Sequence, residues 1–219
     1  MPTYVIGGGD DLKIQFSSKY QVAKKFNLYM AYTQTMFWSI YESSMPFKDI
    51  NFAPELFYRI LDNDSGKIQS IDFGVTHNSN GKNGIESRSL NRIFLKLNQV
   101  HQINRNQIYT EARIYKVYNP EAENHDIEQY LGFWDLQVRL TNLIVKNDQR
   151  LDIEFKIFAG SKVINIDKGG TVLGLIYRTG SESFNPAIYL QYYQGTAESL
   201  LNYQDKVDEW RIGFLLTSL

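Results

Sequence analysis

Apolar and polar residues alternate along this chain over long stretches. In "LKIQFSSKYQV", Leu12, Ile14, Phe16 and Val22 share one parity, and Lys13, Gln15, Lys19 and Gln21 the other. In "FNLYMAYTQTMFW", Phe26, Leu28, Met30, Tyr32, Met36 and Trp38 fall together. Segments of the same kind follow at 54–62, 67–79, 87–100, 106–118, 128–142, 150–160, 169–179, 186–194 and 207–218. Side chains of an extended strand point alternately to its two faces, so sustained alternation predicts strands, not helices. Turn-forming stretches such as "DNDSGK", "SNGKNG", "NPEAENHD", "KND", "DKGG" and "GSESFNP" separate them. No helical segment of any size stands out. Neither a linker nor a shift in composition interrupts the 219 residues, which read as one domain, 1–219.

Segment length sharpens the picture. Strands of ordinary soluble sheets run about 5 to 6 residues, whereas crossing a bilayer with tilted strands takes about 9 to 11. Many of the eleven segments reach the longer value. One face carries Ile71, Phe73 and Val75, then Ile93, Leu95 and Leu97, Trp134, Leu136, Val138 and Leu140, and Trp210, Ile212, Phe214 and Leu216. The other carries Asp72, Arg88, Arg92, Lys96, Glu111, Arg113, Asp135, Arg139, Asp152, Glu154 and Lys156. In a membrane barrel the first face meets lipid, and the second fills a lumen with ion pairs. In a soluble sandwich the first is core and the second is solvated, and pattern alone leaves both open. Bacterial single-chain barrels have even strand counts. A twelfth strand is then either "TYVI" or a segment upstream of it.

Composition removes several alternatives. A net charge of -1 supplies no basic excess to neutralise phosphates, which argues against a nucleic-acid partner. Cysteine is absent, excluding disulfides, a thiolate nucleophile and a Cys-based zinc site. No run of 18 apolar residues offers a transmembrane helix. "MPTYVIGGGDD" has neither the basic nor the apolar region of a signal peptide.

Chemistry concentrates in "VTHNSNGKNGIESRSLNR", residues 75–92. His77 and Ser79 continue the apolar parity of Ile71, Phe73 and Val75, and Asn91 continues that of Ile93 and Leu95. A hairpin centred near Gly84 sets His77 opposite Asn91 and Ser79 opposite Ser89. Cross-strand partners have Cβ atoms about 4.5–5.5 Å apart, within hydrogen-bonding reach of their side chains. Ser79 is a weak nucleophile until a base takes its proton, and His77 is the neighbouring base. The Asn91 amide oxygen can hold the imidazole in one tautomer. A cation near the developing oxyanion would supplement the neutral amide. The hydroxyl and carbonyl oxygens of "NGKNGIES" are of the kind Ca²⁺ prefers, although Glu86 is the sole carboxylate there. The plain alternative is a polar hairpin tip, for which "NG" is the usual chemistry. His101 and His125 have no Ser or acid in matching parity and take no role.

These residues resemble the signature of the bacterial outer-membrane phospholipase A family, a His-x-Ser-Asn-Gly run followed by Ser-Arg-Ser-x-Asn-Arg. "AYTQTMFW" at 31–38, "ESSMPFKDINFAPELF" at 42–57 and "GTAESLLNY" at 195–203 resemble it too. The resemblance implies an all-β fold, a single antiparallel transmembrane β-barrel of about twelve strands in the bacterial outer membrane. Its active site would lie on the outer wall near the outer leaflet. It further implies Ser79 as nucleophile, His77 as base and Asn91 as orienting residue. Calcium would be held by the Ser87 hydroxyl, the Lys82 carbonyl and the Ser44 carbonyl of a second protomer. The Ser79 N–H and a calcium-bound water would form the oxyanion hole. The implied activity is hydrolysis of sn-1 and sn-2 acyl esters of glycerophospholipids and lysophospholipids through an acyl-enzyme. The active form would be a homodimer with Gln34 buried between protomers. This chain has Lys82 where the family usually has Arg, Leu90 where an aromatic is common, and Leu219 where outer-membrane barrels typically end in an aromatic. A non-catalytic outer-membrane barrel, such as a small porin or structural protein, is the alternative from a different class. A soluble lipid-binding barrel is a third reading.

Overall fold

The computed structural model describes residues 2–63, 67–118, 124–146, 149–160, 167–179 and 186–217. Several of the turn stretches above, and Leu219, lie wholly or partly outside them. The strands are β1 (Thr3–Gly8), β2 (Asp11–Ala23), β3 (Leu28–Trp38), β4 (Phe47–Asp62), β5 (Ile68–Ser79) and β6 (Ser89–Ile103). They continue as β7 (Asn106–Tyr118), β8 (Trp134–Lys146), β9 (Gln149–Ala159), β10 (Gly169–Thr179), β11 (Ala187–Gly195) and β12 (Val207–Thr217). Each pairs antiparallel with its sequence neighbours, and β1 closes the circle by pairing with β12. "TYVI" is therefore the twelfth strand, with Val5 between Ile14 of β2 and Phe214 of β12. Closure leaves no unpaired edge, the condition for a sheet to cross a bilayer.

The two parities separate as the alternation requires. Phe73 is 50% exposed on the outer wall, while its neighbour Asp72 is 0% exposed inside. Val75, Ile93, Leu95, Ile212 and Phe214 are likewise exposed outward, and Lys96, Arg113, Arg139, Asp152 and Glu154 are buried inward. An apolar outer wall around a charged interior fits a lipid-facing barrel and would be costly in water. Inside, opposite charges meet. Asp72 receives Arg59 Nε at 2.8 Å and Lys96 Nζ at 3.3 Å. Arg113 bridges Glu55 and Glu111, each at 2.8 Å. Arg139 meets Glu154 at 2.6 Å, and Glu198 receives Lys13 at 2.9 Å and Arg211 at 2.8 Å. Of the charges predicted to face inward, Arg88 differs. It lies in the loop ahead of β6, bonded to the Ile85 and Ser87 carbonyls.

Two expectations need correction. The 128–142 segment is not one strand: Glu128–Leu131 forms a helical turn, α1, and β8 begins only at Trp134. The strand expected at 54–62 starts instead at Phe47. α1 belongs to a cap at the barrel end where β5 finishes and β6 starts. Ile127 packs there with Leu90, Leu200 and Tyr203, joined by Val117, Tyr130, Leu131 and Ala197. Leu90, which stands where an aromatic is common, precedes Asn91 on β6 and is fully buried in this cap.

Candidate active site on the outer wall

The β5–β6 register sets His77 opposite Asn91 and Ser79 opposite Ser89. The strand on which His77 rides is held close to β4 by Gly74. A Cβ at Gly74 would come within 2.4 Å of the Leu56 carbonyl and 2.5 Å of Phe57 Cβ. Outward from this packed base, His77 is exposed, and Ser79 and Asn91 are half-buried. His77 Nδ1 lies 2.9 Å from Asn91 Oδ1. An amide oxygen only accepts, so this bond places the proton on Nδ1 and leaves Nε2 with a free lone pair. Ser79 sits two residues along the same face. Among the hydrogen bonds of the described residues none joins it to His77, and such contacts commonly tighten only when substrate binds.

On its other side the site meets β4. Phe52 pairs with Ser79, and the ladder resumes at Glu55↔Thr76, skipping Ala53 and Pro54. On that register Pro54, which has no N–H to donate, stands across from His77. Gln34 pairs with Phe52, so Gln34, Phe52, Ser79 and Ser89 form one cross-strand row along the outer wall. Gln34 is half-buried, and its Oε1 accepts a 2.7 Å hydrogen bond from Tyr32 Oη.

The loop 80–88 carries Lys82 and Ser87. Gly81 turns it with a φ of +68°, and a Cβ there would meet the Phe52 ring at 2.9 Å. Asn80 Oδ1 accepts from both Lys82 N–H, 3.3 Å, and Arg88 N–H, 3.0 Å. The two ends of the loop thus meet at one atom, which draws the Lys82 backbone toward that of Ser87. Among the described residues no group of three His, Asp or Glu side chains is positioned to hold a metal. A cation here would depend on hydroxyl and carbonyl oxygens, a hard-donor set of the kind Ca²⁺ prefers. Ser44 lies in the exposed loop between β3 and β4, at the same barrel end, with a φ of +69°. Its loop is fixed by Trp38 Nε1 donating to the Met45 carbonyl at 2.7 Å.

Sequence reasoning missed two supports. Asn124, fully buried, donates to the Ser89 carbonyl at 2.9 Å and accepts from the Ser89 N–H at 3.0 Å. It clamps the residue opposite Ser79, yet in the sequence it reads only as part of a polar turn. Asn80 is the other, and it stands within the motif itself. Beneath them, Tyr203 and Gln204 both hydrogen-bond Asp126 in the cap. Burial opposes ionisation of Asp126, but those bonds outweigh it and hold its pKa below the ordinary carboxylate value. Burial, together with the bond to Asp126, pushes the Tyr203 pKa up to about 12.

Fold and site together define a class: a closed transmembrane barrel presenting an imidazole–amide pair and a hydroxyl to the lipid side of its wall. The family model for phospholipase A1 matches residues 7–216. The chain belongs to that family. Phospholipase A1 of Escherichia coli K12 is 27% identical over 197 residues, covering 86% of this chain and 62% of the relative. Phospholipase A1 of Klebsiella pneumoniae is 27% identical over 194 residues with the same coverage, so the chain spans 62% of the length of these relatives. The solved outer membrane phospholipase A of E. coli superimposes with a TM-score of 0.79 at 24% identity, covering 100% of this chain and 97% of that one. A Salmonella typhi outer membrane phospholipase dimer with bound calcium gives 0.75 at 22% identity, covering 99% and 90%. Both share the fold of this barrel.

Proposed function

We propose that this chain is a calcium-dependent phospholipase of the bacterial outer membrane. It hydrolyses sn-1 and sn-2 acyl esters of glycerophospholipids and lysophospholipids and works as a homodimer. The observation that carries the reading is the His77–Asn91 hydrogen bond on the lipid-facing wall, with Ser79 on the same face. A lipid ester reaches this position laterally, without entering the lumen.

Ser79 Oγ attacks the ester carbonyl as its proton passes to His77 Nε2. The Nδ1–H donated to Asn91 Oδ1 keeps the ring oriented and helps carry the imidazolium. His77 then returns the proton to the departing lipid oxygen, leaving an acyl ester on Ser79. Attack by water, with His77 again as base, releases the fatty acid. The Ser79 backbone N–H would serve as an oxyanion donor. When bound, Ca²⁺ supplies positive charge beside the developing oxyanion. Ser87 Oγ and the Lys82 carbonyl would hold it, with the Ser44 carbonyl of a second copy. Gln34 in the same outer-wall row as Ser79 puts a polar group where a second copy would cover both. The relatives named phospholipase A1 support the reading.

Ser79→Ala should abolish phospholipid hydrolysis while the detergent-solubilised barrel keeps its gel mobility. Chelation should stop hydrolysis and added calcium restore it. Residual wild-type turnover in Ser79→Ala would remove the serine from the mechanism, and indifference to chelation would remove the calcium.

A further inference from the structure

Asn80 follows the nucleophile position, is 4% exposed, and spends its whole side chain on its own loop. Its Oδ1 accepts from Lys82 N–H, forming an Asx turn, and from Arg88 N–H at the far end. Its Nδ2 donates to the Glu86 carbonyl at 2.8 Å, and its backbone N–H donates to the Arg88 carbonyl at 3.0 Å. Four hydrogen bonds from one residue therefore tie down the start, the far side and the end of the loop. The Lys82 Nζ to Glu86 ion pair across the same loop, 3.0 Å, is solvent-exposed and screened.

A cation held by one hydroxyl and backbone carbonyls gains little from any single ligand. Its affinity depends on how far the loop is already shaped before binding, since ordering the loop on binding subtracts from the net free energy. We infer that Asn80 is the positioning residue of the calcium loop: it presets the approach of the Lys82 carbonyl to Ser87 and thereby sets the calcium affinity of the site. The inference rests on the calcium-dependent reading of this site. Asn80 touches neither substrate nor the reacting atoms and acts through the loop backbone alone. Its neighbour Ser79 does the chemistry, so a defect at position 80 registers in calcium demand before it registers in turnover.

The test is calcium titration calorimetry on the full detergent-solubilised chain. It runs beside hydrolysis measured against calcium concentration and hydrogen exchange of the Lys82 and Arg88 amides. In Asn80→Ala both amides should lose protection. Affinity should fall about tenfold, the equivalent of roughly one net hydrogen bond, and excess calcium should restore most of the turnover. Asn80→Asp keeps both acceptor contacts and loses one donor, so it should stay nearer the wild type in affinity. Should the Ala variant fail to fold, Asn80→Ser, whose hydroxyl reaches fewer of these groups, is expected to show an intermediate affinity. Wild-type affinity in either truncated variant overturns the role of Asn80 while leaving the calcium site standing. A wild-type chain that takes up no calcium overturns both.

Discussion

Asn91→Ala isolates the amide that holds the base. The side chain makes one neutral hydrogen bond, 2.9 Å long, to an exposed imidazole. Such a bond contributes about 0.5–1.5 kcal/mol net, because water replaces part of what is lost. At 1.36 kcal/mol per decade of rate, that corresponds to a fall in kcat of about two- to tenfold, larger only if the ring also leaves its attack orientation. KM should hardly move, since Asn91 holds the base and not the lipid. Asn91→Asp retains an acceptor and adds charge opposite the imidazolium, so it should recover turnover. Initial rates with a fluorogenic phospholipid in mixed micelles at saturating calcium separate kcat from KM. A kcat equal to wild type would refute the claim that Asn91 orients His77. So would a loss as complete as that of Ser79→Ala, which would make the amide a reacting group.

Three further outcomes follow from the structure. Gln34→Leu removes the polar group beside the site, and the sedimentation of calcium-loaded protein in detergent should shift toward monomer; an undiminished dimer would disconnect Gln34 from assembly. Asp72→Ala strands Lys96 in the lumen and leaves Arg59 only its exposed partner Asp62, a loss of about 3–5 kcal/mol for a broken buried pair. Its urea midpoint should fall accordingly, and an unshifted midpoint would mean the lumen is wet enough to solvate both cations. The Asp126 contribution to the cap is complete above the ordinary carboxylate pKa and lost as pH falls through its lower folded value. The Tyr203 contribution is complete below the ordinary tyrosine pKa and lost as pH rises through about 12. A stability gap between wild type and Tyr203→Phe should therefore be present near neutrality and shrink in strong acid; a gap independent of pH would contradict the coupling.

Long alternation made most of the barrel legible, because lipid on one side and paired charges on the other impose parity at every residue. The geometry of the candidate site was legible for the same reason: His77, Ser79 and Asn91 continue lipid-facing parities, and the hairpin register followed from centring the turn near Gly84. Harder to read was whatever lies off that pattern. Ile127, Tyr130 and Leu131 have the i, i+3, i+4 spacing of a helical turn, but two of the three also fit a strand parity. The first residues of β4 hid behind polar inward residues and Pro54. Asp49 and Asn51 accept from the Leu201 and Leu200 N–H groups of a loop some 150 residues away, a use no local pattern reveals. Asn124 was invisible likewise, since its clamp on Ser89 exists only once the cap folds back onto β6.

Covalent labelling tests the central claim most directly. Full-length protein in detergent with calcium is treated with a long-chain alkyl sulfonyl fluoride and digested for mass spectrometry. One adduct on Ser79, absent from His77→Ala, is the result this account requires. An unmodified Ser79, or an adduct that forms equally well without His77, would contradict it.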